Sequence, residues 1–168
     1  MTKRKDLLNV PMTIEWNKKP NRKFFLRHLI ETNNYDTMCE VGVRDGRTTF
    51  YLLNNIPNLT IYAVDTDTTL FYNDEVNKKY KDRLIPIQGK SGIVAKKVPM
   101  VDLVFIDADH SYDGCSTDIR AYTPKVNING ILSGHDIDYP GVNQAVNQFV
   151  KNYSVGPNNV WFTKILAS

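Results

Sequence analysis

Short apolar runs alternate with amphipathic stretches along this chain, and that alternation narrows its fold more than any other feature. The runs are Met38–Val43, Ile61–Val64, Leu84–Ile87, Val101–Ile106 and Ile131–Leu132, with a closing run at Val160–Leu166. They are short, nearly continuous and mostly rich in β-branched residues, as expected of strands buried on both faces of a parallel sheet. Between them, Phe25, Leu26, Leu29 and Ile30 share one face of a helix near residues 21–33. Phe50, Leu53 and Ile56 predict a helix after Gly46, the more polar segment 69–80 predicts another, and Val142, Ala145, Val146, Phe149 and Val150 recur at helical spacing. The pattern predicts an α/β fold, an open, mostly parallel twisted sheet with helices on both faces. Right-handed crossovers then bring every strand-to-helix loop to one edge, where ligands bind. The residues just after each run are the ones to read for chemistry.

At 168 residues the chain is about one domain long, so residues 1–168 are expected to form a single domain with 1–20 as a basic N-terminal arm. No apolar run reaches the roughly 18 residues of a membrane span, and no apolar stretch follows the basic start as it would in a secretory signal. Cys39 and Cys115 read as free thiols of a reducing compartment, so a cytoplasmic location is expected. Charge is uneven. Residues 1–27 hold eight basic and two acidic residues in a chain of net charge +3, so the remainder is acidic. Such an arm either solubilises the terminus or meets phosphate and nucleic acid.

The first strand leaves through Glu40-Val41-Gly42-Val43-Arg44-Asp45-Gly46. Two glycines in a strand-to-helix turn allow close backbone approach to a ligand. The spacing departs from the three-glycine pyrophosphate fingerprint, and Glu40 would repel a pyrophosphate. A carboxylate there suits a cationic ligand instead, such as the amino group or sulfonium of S-adenosylmethionine. Asp65, ending the second run about 20 positions later, is placed to accept hydrogen bonds from ribose hydroxyls. Gln88-Gly89-Lys90-Ser91 follows the third run, where an adenine edge could be met, although Ser91 could equally cap a helix. The fourth run leads into Asp107-Ala108-Asp109-His110 and the fifth into His135-Asp136. Carboxylates with imidazoles suit a hard or borderline divalent ion, and a nearby histidine could take a proton from an acceptor hydroxyl. Taken singly, Asp109 could be a helix cap and His110 or His135 a structural residue.

Met38–Gly46 resembles motif I of class I S-adenosylmethionine-dependent methyltransferases. Val104–Tyr112 together with Gly130–Asp136 is similar to the branch that holds macrocin-type sugar O-methyltransferases. The resemblance spans roughly residues 36–152 and implies a Rossmann-like methyltransferase fold that transfers a methyl group to a hydroxyl of a small molecule such as a sugar. It implies Glu40, Gly42 and Gly46 around the amino-acid end of S-adenosylmethionine, Asp65 at its ribose, and Gln88, Gly89 and Ser91 near adenine. Metal-dependent members of the family imply Asp107, which also borders the cofactor, with His135 and Asp136 as ligands of magnesium or another divalent metal, and His110 as the base. The chain departs from those members in having His135-Asp136 where they place Asp-Asp or Asp-Asn. The segment before motif I shows no obvious substrate lid, so the acceptor pocket is either open or completed by a second chain in an oligomer.

Three other readings compete. A nicotinamide-dependent Rossmann enzyme shares the fold but needs the three-glycine fingerprint. A metal phosphohydrolase would use the Asp/His clusters and leave Glu40, Gly42 and Gly46 unexplained. A nucleic-acid- or partner-binding module with a degenerate cofactor site would use the basic arm with Trp16, Phe24 and Phe25.

Overall fold

The computed structural model describes residues 21–167, and the basic arm at 1–20 lies outside them. Helix α1 (Arg22–Asn33) starts at Asn21, whose side chain accepts from the Lys23 N–H, and stops at Asn34 in the left-handed conformation. It buries Phe25, Leu26, Leu29 and Ile30, the stripe expected from the sequence. There follow β1 (Thr37–Val41), α2 (Arg47–Asn55), β2 (Thr60–Asp65), α3 (Asp74–Tyr80), β3 (Leu84–Gln88), α4 (Ser91–Val94), β4 (Val101–Ile106), α5 (Tyr112–Tyr122), β5 (Val126–Gly134), α6 (Pro140–Phe149), β6 (Ser154–Val155) and β7 (Trp161–Lys164).

The strands form one sheet in the order β3-β2-β1-β4-β5-β7-β6. The first five pair in parallel, and β7 runs antiparallel to both β5 and β6. Strand order reverses between β1 and β4, so their carboxyl ends diverge into opposite crossovers and open a crevice. Side chains alternate across the sheet. Cys39, Val41, Val104 and Ile106 pack under α4, α5 and α6. Met38, Leu103 and Phe105 pack under α1 and α2. Helices therefore cover both faces, as the run pattern requires.

Four expected elements differ in the structure. Helix α2 buries Thr48, Thr49, Leu52 and Leu53, and leaves Phe50 half-buried against the Tyr80 ring at 5.7 Å. Its inner face meets polar groups at a strand end, so apolar periodicity misplaced it. Segment 69–80 divides into a short 3-10 turn at Thr68–Leu70 and α3, because Asp67 and Asn73 each cap a separate start. Strand β5 is longer than its apolar run. Its register with β4 jumps from Val101–Val126 to Leu103–Ile131, and Asn129 takes a positive φ in the bulge between. Phe149, assigned to the α6 stripe, is 37% exposed with the Arg120 guanidinium over its ring. Both cysteines are free and buried. No helix among the described residues is long and apolar enough to cross a membrane.

Candidate active site

The parallel ladder continues one residue past the strands. Gly42 donates to the Val64 carbonyl, Gly89 to Asp65, Asp107 to Val41, and His135 to Ile106, at 2.8–3.0 Å. These bonds set the loop residues after β1, β3, β4 and β5 side by side along one edge. A cavity of about 1280 Å³ opens there, walled by Glu40, Gly42, Asp65, Gly89, Ser91, Asp107, His110, His135 and Asp136. Of the eleven sequence-derived candidates, nine stand on the wall, and Gly46 and Gln88 do not. Gly46 packs against Phe50, and the exposed Gln88 side chain accepts from the Thr68 hydroxyl instead.

Glu40 faces α2 and is 2% exposed, with the Thr49 hydroxyl donating to its carboxylate. Burial pushes its carboxyl from 4.5 up to about 8, and nearby Asp107 and Asp65 add to the shift, while Thr49 and Arg22 oppose it. A buried acid held in this state is poised to gain from a cationic neighbour. Gly42 lies beside it at φ +88, and a Cβ there would stand 2.2 Å from the Asp107 carbonyl oxygen. The bare backbone of Gly42 is therefore required first by the close passage of the β1 and β4 loops. Asp65 Oδ2 accepts from the Val43 and Arg44 N–H groups at 2.9 and 2.8 Å, and Oδ1 accepts from Asp67 at 3.1 Å. Burial alone would raise its pKa, but these donors outweigh it and hold the carboxyl below the usual value. It clamps the glycine turn to β2 while facing the cavity.

Past β4 and β5, His110 Nε2 lies 2.8 Å from Asp136 Oδ2 and 4.0 Å from Asp107 Oδ1. His135 Nδ1 lies 2.9 Å from Asp136 Oδ1 and 3.6 Å from Asp107 Oδ1. The angles fall outside hydrogen-bond alignment, so both His135 ring nitrogens are buried without a hydrogen-bond partner among the described residues. Asp136 itself sits at φ 56. Unpaired buried polar atoms beside a left-handed non-glycine residue are typical of a functional site. One ligand atom each from Asp107, His110 and Asp136 fall within 4.8 Å of one another, a donor set that fits a divalent ion. The sequence expectation had grouped His135, not His110, with the two acids. Asp109, the alternative helix cap, accepts from the Ser111 N–H, while Ser111 itself caps α5.

A family model described as a methyltransferase domain matches residues 39–137, more than half of the chain. The chain belongs to this methyltransferase family. No curated sequence relative matches. Solved structures share the methyltransferase's fold at low identity. A Staphylococcus aureus protein titled as a caffeoyl-CoA O-methyltransferase superposes with TM-score 0.69 at 16% identity, over 91% of this chain and 88% of that one. CalS11, a TDP-rhamnose 3'-O-methyltransferase of calicheamicin biosynthesis, gives 0.65 at 15% identity over 93% and 88%. TomG of Streptomyces achromogenes, in complex with S-adenosylmethionine, gives 0.66 at 11% over 86% and 79%. Family membership makes this a S-adenosylmethionine-dependent methyltransferase and removes the nicotinamide and phosphohydrolase alternatives.

Sequence reasoning missed several groups at the methyltransferase's cavity. Arg22 was counted only with the basic arm, yet its guanidinium lies 3.4 Å from Asp107 Oδ2. Thr48 and Thr49 carry no signal of their own. Asp118 lines the cavity at 1% exposure, takes a hydrogen bond from the Ser91 hydroxyl, and is pushed up to about 6 by burial. An acid on the buried stripe of α5 was the available clue. Ser91 is thus a donor to Asp118, with Lys90 in the cap position. Of the aromatics assigned to the binding-module reading, Phe25 is core and Phe24 packs edge-on to Tyr51, while Trp16 lies outside the described residues.

Proposed function

We propose that this methyltransferase alkylates a hydroxyl of a small acceptor, such as a sugar, with His110 as the base. The observation that carries the proposal is the continuity of one cavity from buried Glu40 to the His110–Asp136 pair. Glu40 would face the cationic methionine end of S-adenosylmethionine, Asp65 its ribose, and Gly89 and Ser91 its adenine. When bound, that cofactor supplies an electrophilic methyl group on sulfur. The chain's own part is alignment and proton transfer. Asp136, 2.8 Å from Nε2, would hold the His110 ring, leaving Nδ1 as the nitrogen that accepts the acceptor's proton as the hydroxyl attacks. Tyr139 packs against the same ring at 4.9 Å and limits its rotation. Asp107, 13% exposed, lies 4.0 Å from the same ring and closes the other side of the cluster.

A second reading rests on the compact donor set. Asp107, His110 and Asp136 would hold a divalent ion such as magnesium, with His135 beside them, and such an ion supplies Lewis acidity toward the acceptor hydroxyl. Calorimetry with S-adenosylmethionine and with NAD, each with and without magnesium, tests both. Binding of the sulfonium nucleoside alone is expected, and absence of that binding refutes the proposal. Methylation of a nucleoside-sugar panel that survives chelation supports His110 as base. Activity abolished by chelation and restored by magnesium transfers the role to the ion.

A further inference from the structure

The methionine end of S-adenosylmethionine carries two opposite charges, an ammonium and a carboxylate. Glu40 answers only the first. Among the described residues, the Lys and Arg that line the cavity are Arg22, Arg44, Arg47 and Lys90. Arg47 pairs with Asp45 at 2.8 Å and is 86% exposed, Arg44 is exposed on the turn, and exposed Lys90 stands beyond β3. Of these four, Arg22 is the one whose guanidinium lies 3.4 Å from Asp107 and whose charge acts on Glu40. Neighbouring threonines in the first turn of α2 hold the two side chains. Thr48 Oγ1 accepts from Arg22 Nε at 3.4 Å, and Thr49 donates to Glu40. The Arg22 charge acts on Glu40 from this position.

A guanidinium offers five N–H donors in a planar fork matched to a carboxylate. Among the described residues, the Arg22 guanidinium engages two partners, Thr48 and Asp107, each at a long 3.4 Å. Its side chain is 35% exposed, toward the same hollow. Donors therefore remain for a ligand, and neither existing contact is strong enough to hold the fork against one.

Resting on the assignment of this cavity to S-adenosylmethionine, we infer that Arg22 receives the α-carboxylate of the cofactor while Glu40 receives its ammonium. The pair would read a zwitterionic amino acid and reject nucleosides that lack one.

Calorimetry decides it with two probes, S-adenosylhomocysteine and its analogue bearing hydrogen in place of the α-carboxylate. The wild-type chain should bind the decarboxylated probe about 10- to 100-fold more weakly, the range for a charge-assisted hydrogen bond. Arg22→Met should lose that factor for S-adenosylhomocysteine and bind the decarboxylated probe as the wild type does. Arg22→Lys, which keeps charge without the fork, should fall between. Equal weakening of both probes by Arg22→Met, or of neither, overturns the assignment. Thermal melting of each variant identifies any shared loss that comes from misfolding, and Arg22→Lys then decides by the same ratio. A wild-type chain that binds neither probe overturns the cofactor assignment itself, a different result from a wild-type chain that binds both alike.

Discussion

Replacing Glu40 by glutamine should stabilise the ligand-free protein while weakening its grip on a cationic ligand. In the unfolded chain this carboxyl ionises near 4.5, and in the folded chain burial moves it to about 8. Between those values the folded state retains a proton that the unfolded state has released, so stability falls as pH rises through the window. The separation corresponds to about 5 kcal/mol in full, of which about 3 kcal/mol has accumulated by pH 7. Glutamine keeps the shape and can still accept from Thr49, but has no ionisation to penalise. Urea unfolding without ligand should show the two proteins converging toward pH 4.5. The variant should be ahead by about 3 kcal/mol at pH 7 and by more above pH 8. Binding inverts the order. A cation beside Glu40 favours its ionised form, so wild-type affinity for S-adenosylmethionine should rise with pH up to about 8, with proton release. Glu40→Gln should bind more weakly, with that pH dependence gone. Parallel stability curves from pH 5 to 9 would refute the placement of this acid in a dry wall.

Gly42→Ala sets a Cβ 2.2 Å from the Asp107 carbonyl at φ +88, and should destabilise the fold by about 2–4 kcal/mol in denaturant melts. Gly46→Ala should do less, because its neighbour is the Phe50 ring, the end of a side chain that can swing outward. Asp65→Asn replaces one acceptor oxygen, either Oδ2 that holds the Val43 and Arg44 N–H groups of the glycine turn or Oδ1 that holds Asp67, and should lower stability by about 1–2 kcal/mol at pH 7. Because its folded pKa is depressed, this contribution should be present above about 4 and fade as pH falls through the folded value, with S-adenosylmethionine affinity lowered in the same variant. His110→Ala should reduce turnover about 10²- to 10⁴-fold with cofactor affinity nearly unchanged, as separate kinetic and calorimetric measurements would show. Equal loss of both would remove His110 from the proton-transfer role.

Hydrophobic periodicity made the sheet legible because each central strand is buried on both faces and reads as one apolar run. It failed where polar side chains face inward. The α2 face came out wrong because Thr48 and Thr49 point toward a charged strand end, which no apolar stripe reports. The front of β5 was lost because Asn127, Asn129 and Gly130 form a bulge that Asp102 helps to hold through the Asn127 side chain. Glu40, Asp65 and the Asp/His clusters could be placed on the cavity wall because topology puts strand ends at that edge whatever the side chains are. Arg22 escaped for the converse reason. It arrives from α1, which precedes the first strand, and only packing of α1 against α2 brings it to the wall.

The passage of Gly42 against Asp107 and Ala108 joins the two halves of the cavity. On one side, Glu40 and the glycine turn face the proposed methionine seat, and on the other Asp107 opens the cluster that contains His110 and Asp136. A contact this close leaves no room for independent movement, since protein interiors repack in discrete steps and do not deform freely. Arg22 spans the same seam, touching Thr48 on the α2 side and Asp107 on the β4 side. A ligand that drew the guanidinium toward itself would loosen its hold on Asp107 Oδ2 and alter the charge felt by His110. Occupancy of the methionine seat and the position of Asp107 beside His110 should therefore be coupled through a single side chain. The His110 ring resonances, followed by NMR at one fixed pH with and without S-adenosylhomocysteine, should shift on binding in the wild type. That shift should be smaller in Arg22→Met, and an equal shift in both would break the link.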